Sequence, residues 1–249
     1  MKKTQLLLNG ILACIFLGLT SGCTPPIYFP NGMNAPLLSK KGQLTMNASL
    51  GETGTDIQAA ASVSNKIGVL CNVSIADKEY QETVTSSGGS GNSTTTTFYS
   101  YHQHTFYEGG FGFYNKLSEK GRFEMFALFG FGNARSYNSS VDNRADYFRY
   151  AIQSNIGIEN KFFEGIFSCR FGYLDLNNET TILNNISNSD GIDDMGSFFV
   201  DPAITLRLGW NSFKIYSQFG LSFPFNNLND GQWMPYWASL GIQAKLSNL

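Results

Sequence analysis

From Gly42 onward, ten stretches of the chain alternate apolar with polar residues, the period expected of strands with one face in each environment. The first sets Leu44, Met46, Ala48 and Leu50 against Gln43, Thr45, Asn47 and Ser49. The pattern predicts further strands over Thr55–Ser64, Ile67–Ala76, Thr97–Tyr114, Arg122–Arg135, Tyr147–Asn160, Phe163–Asp175, Ser197–Gly209, Phe213–Phe223 and Trp233–Leu246. The gaps between them alternate short with long. Asn65-Lys66, Asn115 to Gly121, Lys161-Phe162 and Trp210 to Ser212 are brief, whereas 77–96, 136–146, 177–196 and 224–232 are long and polar. Short turns at one end and long loops at the other predict an all-β, antiparallel, up-and-down transmembrane barrel. The long loops fall on the external side if the N-terminus lies in the periplasm.

Composition favours lipid outside that barrel over a soluble sandwich. Charged residues make up 14% of the chain, against roughly 25% in soluble domains. Aromatics gather towards strand ends, with Tyr99, Tyr101, Tyr147, Phe223, Trp233 and Trp237 expected at the outer rim and Phe123, Phe163 and Trp210 at the inner. Such girdles mark both membrane interfaces. The net charge of −2 gives no basic stripe for nucleic acid.

The first 22 residues read as a secretion signal, with Lys2 and Lys3 before an apolar run from Leu6 to Leu19. That run is shorter than the roughly 20 residues a spanning helix needs, so it is expected to be removed. Its end, Thr20-Ser21-Gly22-Cys23, resembles the lipobox of bacterial lipoproteins, although Thr20 stands where the family prefers Leu. The resemblance implies a diacylglycerol on the Cys23 thiol and palmitate-type acylation. It also implies outer-membrane lipid as a partner, with lipoprotein-export and barrel-assembly machinery acting during biogenesis. Residues 23–41 hold four of the seven prolines and show no periodicity, so they read as an extended lipid-anchored tether ahead of a barrel over 42–249. Tyr28-Phe29-Pro30-Asn31, Asn34-Ala35-Pro36-Leu37-Leu38 and Lys41-Gly42-Gln43 resemble the opening of uncharacterised outer-membrane lipoproteins of Bacteroidota. A Gram-negative outer membrane is the compartment this implies.

Candidate chemistry is sparse. Glu108, Glu124, Arg149, Glu159, Arg170, Asp201, Arg207, Lys214 and Lys245 share the polar faces of their strands and should point into the lumen. Ten strands enclose a narrow lumen, since wide aqueous channels appear at about 16. Opposite charges there should form a polar plug, the alternative being a thin path for a small solute. His102 and His104, near the outer end of the fourth strand, could pair with Asp142, Asp193 or Asp194 as a catalytic dyad resembling that of the omptin proteases. No omptin motif surrounds them, and ordinary interior polar residues are the expectation. Asp190, Asp193 and Asp194 lack EF-hand spacing, so no metal or other cofactor is expected. Cys71 and Cys169, on different strands, should be free, lipid-facing thiols. The reading is therefore non-enzymatic, a barrel lipoprotein of structural or surface-binding role. A narrow channel and a soluble lipid-tethered β-domain are the alternatives.

Overall fold

The computed structural model describes residues 26–87, 93–139, 141–183, 186–188, 195–225 and 233–247. Ten strands form the wall: β1 (Gln43–Gly51), β2 (Gly54–Ser62), β3 (Ile67–Ser87), β4 (Ser93–Lys116), β5 (Gly121–Asn138), β6 (Val141–Glu159), β7 (Phe163–Leu183), β8 (Met195–Trp210), β9 (Phe213–Leu221) and β10 (Tyr236–Ser247). Each pairs antiparallel with the next, and β10 pairs with β1 from Gln43↔Ser247 to Gly51↔Ser239. The sheet is a closed, ten-stranded, up-and-down barrel. Two short pieces add to its upper edge, Ile186–Asn188 on β7 and Phe223–Pro224 on β8.

The two faces are inverted relative to a soluble protein. On β1 Gln43, Thr45, Asn47 and Ser49 are buried inside, while Met46 and Leu50 are exposed, Leu50 by 69%. The same parity leaves Ile152 and Ile156 of β6, Phe167 and Phe171 of β7 and Leu206 and Leu208 of β8 exposed outward. So much contiguous apolar surface is untenable in water, and closure removes the unpaired edges that hydrocarbon would not tolerate. Cys71 and Cys169 lie on β3 and β7, and neither forms a disulfide.

The ladder extends beyond the alternating stretches. Asp77 to Ser87 pairs with Ser93 to Gln103, so most of the first expected long loop is a hairpin standing above the apolar band. Val141 to Arg144 likewise pairs with Thr180 to Leu183. These extensions lack apolar alternation, but their Thr, Tyr and Val content suits pleated backbone. The last strand begins at Tyr236, not Trp233. Tyr147, Trp233 and Trp237, expected in the outer girdle, are instead buried inside. For Tyr147 and Trp237 the cause is strand parity, since Tyr147 shares its face with Arg149 and Trp237 shares its face with Ser239 and Gln243.

Bulky inward rings are accommodated by glycine on the facing strand. Phe106 lies opposite Gly132, Phe199 opposite Gly172, Trp237 opposite Gly220 and Tyr216 opposite Gly241. A Cβ at Gly220 would come 2.1 Å from the Trp237 ring, whereas one at the lipid-facing Gly109 would meet nothing within 4 Å. Gly220→Ala should therefore destabilise the barrel by about 1–3 kcal/mol through overpacking, and Gly109→Ala should be close to neutral. The temperature at which the fast-migrating folded band converts on a gel measures both, and equal effects would contradict the packing account.

Candidate functional site in the barrel lumen

The lumen is filled by the chain itself. Residues 26–38 run through it in extended form, with Ile27, Tyr28, Asn31, Met33, Asn34, Ala35, Leu37 and Leu38 all 2% exposed or less. The stretch read as a tether outside the barrel is thus an inner segment. Cys23, the expected acylation site, lies outside the described residues.

An extended strand without a ladder must satisfy its backbone some other way, and side chains of the wall do so here. The amide of Gln218 takes both polar groups of Met33, accepting from its N–H at 2.7 Å and donating to its carbonyl at 3.1 Å. Gly32 donates to Asp56 Oδ2 at 2.9 Å, and its carbonyl accepts from Gln58 at 2.8 Å. Gln153 and Arg207 each donate at 2.7 Å, to the carbonyls of Asn34 and Ala35. Leu38 N–H donates to Glu124 Oε1 at 2.6 Å. Pro26, Pro30 and Pro36 bring no N–H into this space. Leu37 adopts a left-handed φ of 50°, where the segment begins to turn towards β1.

The expected lumen residues are buried except Glu159, which is partly exposed and pairs with Arg122 and Lys245, and the wall groups most of the others in pairs. Arg170 lies directly opposite Asp201, bonding Oδ2 from Nε at 3.0 Å and Nη2 at 2.8 Å. Arg207 lies opposite Glu164, with Nη1 to Oε2 at 3.1 Å. Arg149 reaches Glu108 at 2.6 Å across the intervening Gly130, whose missing side chain leaves the path clear. Among the described residues Glu124 has no cation as a hydrogen-bond partner and instead receives Leu38 N–H and, at 3.0 Å, Asn155. Asn31 links two of the pairs, its Oδ1 accepting from Arg149 at 2.7 Å and Arg170 at 3.0 Å. Arg149 also donates to the Tyr28 hydroxyl at 2.8 Å. The plug is therefore ion pairs and inner segment together.

Near the outer end, His102 is bonded to Ser136 Oγ at 2.8 Å and to His104 at 2.8 Å, while His104 reaches Ser74 at 3.0 Å. Phe29 of the inner segment stacks on His102 with ring centroids 3.5 Å apart. Asp142 is engaged elsewhere, by Arg135 at 2.8 Å and Arg144 at 2.9 Å. The hydrogen bonds from Arg135 lead in holding its carboxyl down to about 2, so it is a paired anion of the rim and no partner of the histidines. Asp190, Asp193 and Asp194 lie outside the described residues. Among the described residues no cluster of three or more His, Cys, Asp or Glu could hold a metal ion.

No protein-family model and no curated protein matches the chain. Among solved structures it is similar to the KdgM porin in complex with disordered oligogalacturonate, at 11% identity over 82% of this chain and 99% of that one, with a TM-score of 0.37. It is also similar to CarO2 of Acinetobacter baumannii, at 9% identity over 84% and 100% of the two chains, again with a TM-score of 0.37. Both likenesses concern fold alone.

Removing Arg149 would strand the Glu108 carboxylate in the lumen, at a cost of about 3–5 kcal/mol, whereas the half-exposed Arg144 belongs to a rim pair worth about 0–1 kcal/mol. Arg149→Ala should therefore lower the urea midpoint of the detergent-folded barrel far more than Arg144→Ala. Similar midpoints for the two variants would sink this account of the lumen.

Proposed function

We propose that the protein is a sealed, non-enzymatic β-barrel lipoprotein of the Gram-negative outer membrane, acting as a structural or surface-binding element. The observation that carries the reading is the inner segment, whose backbone and side chains occupy the space a solute would need. Surface binding has a natural platform in the β3–β4, β5–β6 and β7 extensions, which raise one side of the rim well above the nine-residue strands β1, β2 and β9. The lipobox-like Cys23 supports acylation, and the apolar exterior supports a bilayer environment independent of that lipid.

A second reading, a narrow conducting path, is favoured by one strip of wall. Along β1 and β10, Gln43 Nε2, Asn47 Oδ1, Ser239 Oγ and both amide atoms of Gln243 are buried with no hydrogen-bond partner among the described residues. Such groups favour water, and a hydrated lane beside the segment could carry small ions.

Planar-bilayer recording separates the two. The intact protein should give no conductance steps, and deletion of residues 27–38 should produce them, because the Arg170–Asp201 and Arg207–Glu164 pairs lie within the wall and survive without the segment. Steady conductance by the intact protein would overturn the sealed reading in favour of the hydrated lane.

A further inference from the structure

The direction of the inner segment decides which face of the barrel its upstream end reaches, and β5 serves as a ruler. Its outward side chains are apolar from Phe123 to Phe131 and then change to Asn133, Arg135 and Tyr137. The top of the apolar band continues sideways through Tyr107 and Phe148, the residues paired with Phe131. Leu38 binds Glu124, at the lower edge of the band. The Pro26 carbonyl accepts from the Ser136 hydroxyl, above the upper edge.

Neighbouring contacts agree with that direction. Phe29 stacks on His102 and approaches Tyr80 of the β3 extension, with ring centroids 6.1 Å apart. Tyr28 bridges Trp233, and its carbonyl accepts from Met234 N–H at 3.0 Å, in the connection that leads into the top of β10. At the other end, Lys41 N–H donates to Asn65 in the short β2–β3 turn, and Ser62 donates to the Lys40 carbonyl. The segment descends from the long-hairpin end to the short-turn end, then reverses into β1.

We infer that the chain upstream of Pro26 leaves the barrel at the long-hairpin face, so that the Cys23 thiol and any diacylglycerol on it belong to the external leaflet. This inference rests on the outer-membrane reading for which face is external, but the side on which the segment emerges does not depend on it. Cys23 is three residue steps before Pro26, a reach of at most about 11 Å. Threading the lumen again to the opposite end would need on the order of 40 Å. The simple expectation, that an N-terminus preceding β1 lies on the short-turn side, is reversed because the chain has already crossed the membrane once inside its own barrel. Lipid and long hairpins then lie on one side, and the C-terminal strand ends on the other.

Cysteines added one at a time to a Cys71→Ala, Cys169→Ala background, each read against that background with no added cysteine to subtract any labelling of Cys23, test this with a membrane-impermeant maleimide on cells before and after outer-membrane permeabilisation. Glu79→Cys marks the long-hairpin face and Glu119→Cys the short-turn face, and retention of the heat-shifted gel band verifies folding. Thr24→Cys should label in intact cells to within about twofold of Glu79→Cys, while Glu119→Cys should require permeabilisation and rise at least tenfold. If Thr24→Cys instead follows Glu119→Cys, or labels only after unfolding, the proposed exit is wrong. If Thr24→Cys and Glu79→Cys label together only after permeabilisation, the segment's direction stands but the assignment of that face to the cell exterior is overturned.

Discussion

Everything inside this barrel answers to one constraint: the wall turns its polar faces inward, and each group buried there needs a partner that bulk water no longer supplies. Direct pairing of opposite charges meets the demand only in part, because a guanidinium carries five donors and one carboxylate does not absorb them all. The inner segment supplies much of the remainder. Arg149 divides its donors among Glu108, Tyr28 and Asn31, and Arg170 divides its own between Asp201 and Asn31. The segment in turn has no ladder and depends on the wall for its backbone. Each half is a poor solution alone, since an emptied wall would leave several donors unpaired and a free segment would expose Ile27, Phe29, Met33 and Leu38 to water.

Space is shared as closely as hydrogen bonds. A ten-stranded barrel has little interior volume, and here it admits a peptide together with Phe106, Phe126, Phe199 and Trp237. Glycine makes this possible at defined places. Leu38 sits over Gly68, where a Cβ would approach it to 2.5 Å, and Leu37 sits over Gly157 at 3.0 Å. The glycines on the polar faces are thus recesses cut for particular side chains, some from the opposite strand and some from the segment.

Much of the wall was legible in the sequence, because a period of two over eight or more residues has few physical explanations and the alternation of short with long gaps orders the strands. The inward direction of Glu108, Arg149, Arg170, Asp201 and Arg207 followed from parity alone. The inner segment was not legible by the same logic, since it has no periodic partner and its prolines imitate a linker. A signal was nevertheless present. A tether in solvent has no use for seven apolar residues between Ile27 and Leu38, and their density marks a stretch with something to bury against. The hairpin extensions escaped notice for a different reason: they carry no apolar alternation yet keep their ladder.

The turn at residues 39–42 has a consequence for the order in which the molecule can assemble. It joins the inner segment to β1 as two legs of one bend, one leg inside the ring and the other built into it. A hydrogen-bonded ring with its own chain passing through it is a threaded loop, which cannot be reached by closing the ring first and filling it afterwards unless a free end is drawn through the finished pore. The seam between β1 and β10 is the last junction available in sequence order. Without such threading, the bend that holds the segment has to fold inward while that seam is still open, which makes the final zippering of β10 onto β1 a step of enclosure as well as of pairing.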